Sequence, residues 1–178
     1  DIDTFGGRVD SALEIASSLG GATELTTVAY VGNRPRGRGV SWSAGALIAF
    51  ACNEIYLAPG TSIGAATPVI QGAGGQEAAS EKTVSAVRGQ MAALAERNGH
   101  PPSVARAMVD ASIELLEVPV DGELRLLTSN ELLTLQAERD VELDSRQTVS
   151  ESGKLLTLTA GQMERYGISR GTPPDRPA

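Results

Sequence analysis

The sequence predicts an α/β fold, and three observations lead there. Short β-branched or apolar runs alternate with longer segments of helical periodicity. Gly-Gly and Pro-Gly pairs stand where one kind of segment gives way to the other. At the centre, Ser43 directly precedes an apolar run from Ala44 to Cys52, which reads as a serine at a helix start. There the unpaired N–H groups and the positive dipole end favour an alkoxide or an adjacent oxyanion. A chain of 178 residues that is 41% hydrophobic carries one domain with a full core, expected over residues 1–171.

In chain order, Gly6-Gly7 ends a strand at Asp3-Thr4-Phe5. Val9, Ala12, Leu13, Ala16 and Leu19 then recur at helical spacing until Gly20-Gly21. By itself the Gly6-Gly7 pair is only a tight turn. Glu24 to Val31 reads as a strand ended by Gly32. Asn33 to Gly39 holds three arginines spaced two apart. It reads as a solvated turn, a subunit contact or an anchor for a substrate carboxylate, and it lacks the phosphate-cradling GxxxxGK[ST] pattern. Ile55 to Ala58 is a buried strand cut off by Pro59-Gly60, with a loop over Thr61 to Pro68 and a glycine-rich loop over Gln71 to Gly75.

Lys82 opens a helix reaching Asn98, whose apolar stripe is Val84, Val87, Met91, Leu94 and Ala95. Lys82 falls opposite the stripe beside Ala86, Gly89 and Ala93, a small face against which it could be buried. Pro101-Pro102-Ser103 starts a helix to Ala111. Glu114 to Val120, Asp121-Gly122 and Glu123 to Leu127 form a hairpin, with Pro119 confining its strand to an edge. Glu138 to Gly153 reads as a polar loop. Leu155 to Leu158 is a strand, and Thr159 with Gln162 caps a short helix ended by Gly167. Residues 172–178, with three prolines, read as a disordered exit or linker.

Composition excludes several functions. A net charge of −7, a pI near 4.8 and 3% aromatics argue against nucleic acid or an anionic membrane surface as partners. One cysteine, Cys52, and one histidine, His100, cannot build the usual zinc sets, and no carboxylate cluster has calcium-loop spacing, so neither metal nor cofactor is expected. Cys52 reads as a small buried hydrophobe and His100 as a solvated loop residue. Ser43 lacks the GxSxG context of an α/β-hydrolase, since position 41 is serine. No apolar run approaches the ~20 residues of a membrane helix.

DTFGG from Asp3, Ser43-Ala44-Gly45 and APGTSIGAATPV from Ala58 together resemble the NfeD-type membrane-associated serine proteases of the Clp protease/crotonase-like superfamily. The likeness covers Asp1 to Asp110 well and returns weakly from Leu155. It implies an α/β spiral of β-β-α units that in this chain starts after the family's first strand and helix, hence a fragment or a processed form. It also implies a serine endopeptidase working through an acyl-enzyme. Ser43 maps onto the nucleophile and Lys82, 39 residues on, onto a lysine base. The N–H groups of Gly7 and Ala44 map onto the oxyanion hole, where the turn would require glycine at Gly7. Gly6 and Trp42 would border the substrate.

The family's partners would be hydrophobic peptide segments of membrane-associated, stomatin-like proteins, together with further copies of the chain. Membrane attachment would come from segments outside this chain, with the protease domain extracytoplasmic. Three departures stand out: Phe5 where the family has proline, Trp42 where it often has a small residue, and Gly64 to Thr67 where Clp-type relatives carry a catalytic histidine. Open alternatives are an inactive binding or scaffold module, and an acyl-CoA-type enzyme using the same paired N–H groups.

Overall fold

The computed structural model describes residues 1–32, 37–72, 75–138, 141 and 145–176. Residues 1–4 run extended and join two small sheets. Ile2 bridges Val31 and Thr4 bridges Ser41, both in parallel, so the segment lies between β1 (Val28–Val31) and β2 (Val40–Trp42). On the outer side of β1 runs β3 (Glu54–Leu57), also parallel. On the outer side of β2 comes β4 (Ser62–Gly64), parallel, followed by β10 (Thr157–Thr159), antiparallel. The strand order is therefore β3, β1, residues 1–4, β2, β4, β10.

Helices α1 (Val9–Gly21) and α2 (Ala44–Phe50) follow their strands, as the β-turn-α patterns predict. α2 is the hub of the core. Gly45, Ala46, Leu47, Ala49 and Phe50 are all buried, which explains why a seven-residue helix carries no charge. α3 (Glu81–Arg97) buries Val87, Met91, Leu94 and Ala95, the stripe read from the sequence. It packs on α4 (Pro102–Val109), which is buried at Val104, Ala105, Ala107, Met108 and Val109. Each fully buried large side chain, such as Phe50, Ile55, Leu57 or Met91, contributes about 1.5–3 kcal/mol.

Several expectations are corrected. The strand expected from Glu24 starts only at Val28. A turn in which the Leu25 N–H donates to the Ala22 carbonyl occupies its first half. The Thr27 N–H and hydroxyl donate instead to Asn53 Oδ1, at 2.8 and 2.9 Å. The loop expected over Thr61 to Pro68 contains β4, paired on both sides and buried at Ile63. The glycine-rich loop is a hairpin of β5 (Val69–Gly72) and β6 (Gly75–Ala78), whose tip, residues 73–74, lies outside the described residues. Gly20 and Gly21 belong to the last turn of α1 rather than stopping it.

The expected hairpin is present as β7 (Leu115–Val120) and β8 (Glu123–Thr128). β7 is nevertheless central, because β9 (Gln147–Ser150), within the expected polar loop, pairs with its other side. That pairing covers only Leu115 to Glu117, so Pro119 still sits on an open-sided stretch. Helix α5 (Ser129–Glu138), not expected at all, packs Leu132 on Leu116, Val118 and Val120. Helix α6 (Ala160–Arg165) begins with the predicted Thr159–Gln162 capping box. The proline-rich end is held as far as Pro174, whose carbonyl accepts from the Tyr30 hydroxyl at 2.8 Å.

Candidate active site

Ser43 is the single residue between β2 and α2, and its backbone sits at φ 54°, ψ −118°. Positive φ is strained for a non-glycine residue, at about 1–3 kcal/mol, and persists only where the surroundings over-determine it. Here both sides of the residue are fixed. The Ser43 N–H donates to the Gly64 carbonyl at 2.9 Å, and its own carbonyl accepts the first helical bonds from Ala46 and Leu47.

A strained strand-to-helix turn of this kind presents a serine hydroxyl at the edge of a sheet. The chain thus reaches elbow geometry without the GxSxG sequence. Gly45 supplies the small residue that is sterically required, because a Cβ there would stand 2.7 Å from Thr4 Cγ2 and 3.0 Å from Ser41 Oγ. Ser41 itself is fully buried with no partner for its hydroxyl among the described residues, which removes it as a rival nucleophile.

The Gly6-Gly7 corner lies against this serine. A Cβ on Gly6, which has φ +141°, would come within 2.9 Å of Ser43 Cβ and 3.2 Å of Ser43 Oγ. A Cβ on Gly7 would meet only Ala44 Cβ, at an ordinary 3.8 Å. Glycine is therefore required at Gly6, not at Gly7, contrary to the expectation from sequence. Thr4 explains the shape of the corner. Its hydroxyl accepts from the Gly6 N–H at 3.0 Å and donates to the Gly6 carbonyl at 2.9 Å. With the Gly6 N–H engaged, the Gly7 N–H has no acceptor among the described residues. Ala44, first in α2, likewise has no intrahelical acceptor.

Trp42 is half-buried, stacks on Phe5 with ring centroids 5.3 Å apart, and donates from Nε1 to Ser62 Oγ at 3.0 Å. The Arg38 guanidinium lies 4.2 Å from the centre of the Phe5 ring, and the Arg38 N–H donates to the Asp3 carboxylate. Of the arginine-rich turn, residues 33–36 lie outside the described residues.

Lys82 is the second residue of α3, whose start is capped by Ser80 accepting from the Thr83 N–H. The expected burial against a small face is not present. Lys82, Ala86, Gly89 and Ala93 are all exposed, and among the described residues no hydrogen bond joins Lys82 to Ser43.

His100 is also corrected. It is buried, its ring packs edge-on to Phe50, and its Nε2 donates to the Cys52 carbonyl at 2.9 Å. Burial lowers its pKa, against the opposing pull of that carbonyl. Cys52 is buried as expected, which pushes its thiol pKa up. Sequence reasoning missed Gly64, Thr4 and Arg38. The first had a signal, a glycine inside the strand-like run Ser62 to Ala65. The other two act through contacts that no local window contains.

Comparison with known proteins places this geometry. A family model described as the NfeD1b N-terminal domain matches residues 1–144, reaching past Asp110 through β7, β8 and α5. The membrane protein NfeD1b of Bacillus subtilis (strain 168) is 33% identical over 169 residues, covering 95% of this chain. The chain spans 35% of that relative's length. Among solved structures, the membrane-bound stomatin-specific protease 1510-N in a serine-to-alanine variant matches with TM-score 0.65 at 21% identity, over 98% of this chain and 63% of that one. Its lysine-to-alanine variant in complex with a substrate peptide matches equally, with TM-score 0.65 at 21% identity over 98% and 59%. These structural matches show that the chain shares the α/β fold of that protease, and the family match over most of the chain shows that it belongs to the NfeD1b N-terminal domain family.

Proposed function

We propose that this domain is a serine endopeptidase working through an acyl-enzyme, with Ser43 as nucleophile and Lys82 as general base. The observation that carries the reading is Ser43 held at positive φ on a strand-to-helix turn, with the Gly6-Gly7 corner in contact with it. In the reaction Ser43 Oγ attacks the scissile carbonyl while its proton passes to the neutral Lys82 amine. The Gly7 and Ala44 N–H groups hold the oxyanion, and collapse expels the amine product, which takes the proton from Lys82. Water then repeats the sequence on the acyl-enzyme. Gly6 and Trp42 border the peptide.

That solved relatives carry alanine in place of a serine and of a lysine, one of them with a substrate peptide, supports this pairing. A lysine base must be free of its proton to take the serine's. Lys82 is exposed, so its shielding falls to the bound peptide or to a second copy of the chain. The proposed substrate is a hydrophobic segment of a stomatin-like membrane protein, met outside the cytoplasm by a domain anchored through other parts of the protein.

The exposure of Lys82 favours one competing reading, a peptide-binding module without turnover. A fluorophosphonate probe followed by mass spectrometry separates them. The peptidase reading expects an adduct on Ser43 and loss of turnover in Lys82→Ala. An unlabelled Ser43 in a chain that still binds peptide assigns the module.

A further inference from the structure

The chain contains two phenylalanines and one tryptophan, and two of those three rings stack on each other at the proposed nucleophile. Phe5 directly precedes the Gly6-Gly7 corner and Trp42 directly precedes Ser43, so the pair spans both halves of the site within one residue of each. Burial does not account for Phe5. It is 53% exposed, an unusual position for a phenylalanine in a chain with so few rings. Its conformation is nonetheless fixed, with Trp42 stacked on it, the Arg38 guanidinium over its ring, and Trp42 in turn pinned by its bond to Ser62. A rigid, half-exposed aromatic surface beside a nucleophile binds an apolar side chain without the entropy cost of ordering itself.

Arg38 adds a charge. Its guanidinium lies over the Phe5 ring and forms no salt bridge among the described residues, while the Asp3 carboxylate accepts from the Arg38 backbone N–H. An exposed guanidinium at the rim of the site favours an acidic group over a basic one.

We infer that Phe5, Trp42 and Arg38 form a specificity subsite that selects peptides carrying a large apolar side chain beside the scissile bond with an acidic residue next to it. The subsite rests on the proposed placement of the nucleophile at Ser43, but its test does not require turnover. Trp42 is the sole tryptophan, so its emission reports occupancy of this surface alone.

The 178-residue chain carrying Ser43→Ala is titrated with three peptides that differ only at the two positions in question: Leu-Glu, Leu-Lys and Ser-Glu. The Leu-Glu peptide is expected to shift Trp42 emission and to bind roughly tenfold more tightly than either of the others, the scale of one aromatic contact or one partly desolvated charge contact. Adding salt should erase the Glu-over-Lys preference and leave the Leu-over-Ser preference. Arg38→Gln, at an exposed position, should do the same at low salt, and Phe5→Leu should weaken all Leu peptides.

Equal affinities for the three peptides, or binding that leaves Trp42 emission unmoved, overturn the subsite even if the wild-type chain hydrolyses peptide. Selective binding reported by Trp42 in a chain that hydrolyses nothing keeps the subsite and removes the peptidase reading. No binding and no hydrolysis removes both.

Discussion

Strain at one residue has a measurable counterpart. Ser43 adopts φ 54°, which glycine adopts freely, so Ser43→Gly removes both the hydroxyl and the strain, whereas Ser43→Ala removes only the hydroxyl. Ser43→Gly is expected to be more stable than Ser43→Ala by about 1 kcal/mol, the strain relieved less the entropy of a more flexible unfolded chain. Urea unfolding with equal m-values checks it, and equal midpoints would mean the turn is unstrained. His100 makes the second residue-scale case. Its folded pKa lies below the ordinary ~6.5, so the unfolded chain takes up the proton first as pH falls. The stability that neutral His100 contributes is present above that pH and lost as pH drops through the folded value. His100→Gln should lower the Tm at pH 8 and flatten its acid decline, while leaving peptide hydrolysis nearly intact. An inactive but folded variant would return His100 to the chemistry. Gly99-His100-Pro101-Pro102 does spell a turn, but the acceptor for its ring, the Cys52 carbonyl, lies across the core where sequence spacing cannot place it.

At the scale of elements, β4 bears on the site most directly. Gly64 donates no side chain to it, yet its carbonyl holds the Ser43 N–H and its φ is +143°. A Cβ there would stand 2.4 Å from the Leu156 carbonyl oxygen and 2.7 Å from Thr157 Cα. Both are backbone atoms of a paired strand and its lead-in, and cannot step aside. Gly64→Ala is expected to destabilise the fold by roughly 3 kcal/mol and to cut fluorophosphonate labelling of Ser43 in whatever fraction remains folded. A folded, fully labelled variant would show that β10 can shift without disturbing the serine.

Helices with a clear apolar stripe, such as α3, are legible from sequence because periodicity and burial coincide there. Three-residue strands such as β4 are not, since their only signature is pairing with β2 and β10 from distant parts of the chain. α5 leaves a readable trace that the preceding strand conceals. Thr128 and Glu131 cap each other reciprocally at 3.2 and 2.8 Å, but Thr128 also ends β8, directly after the run Glu123 to Leu127 that reads as strand.

At the scale of the whole molecule, the proposed site draws on residues 3–7, 38–45 and 62–64 and on Lys82, all in the first half of the chain. The motifs that carry the family resemblance are concentrated there, which is why Ser43 and its corner are legible in the sequence. The placement of Lys82 depends on how α3 meets a peptide or another copy, and sequence pattern does not determine that. The second half contributes scaffolding. Glu117, buried at 4% exposure, accepts from Arg165 and from the Tyr166 hydroxyl, tying α6 to β7. Burial, then the bond to Glu117, pushes the Tyr166 hydroxyl up to about 12, so this tie holds through the physiological range.

The antiparallel closure of β10 on β4 gives biosynthesis a fixed order. Thr157, in the last strand of the chain, pairs with Gly64, and Gly64 holds the backbone of Ser43. A ribosome releases the serine early and the strand that braces it late. A nascent chain therefore carries Ser43 through most of the translation of this domain without the geometry that would make it reactive. On the proposed reading, Ser43 gains its nucleophilic geometry only once the domain has closed.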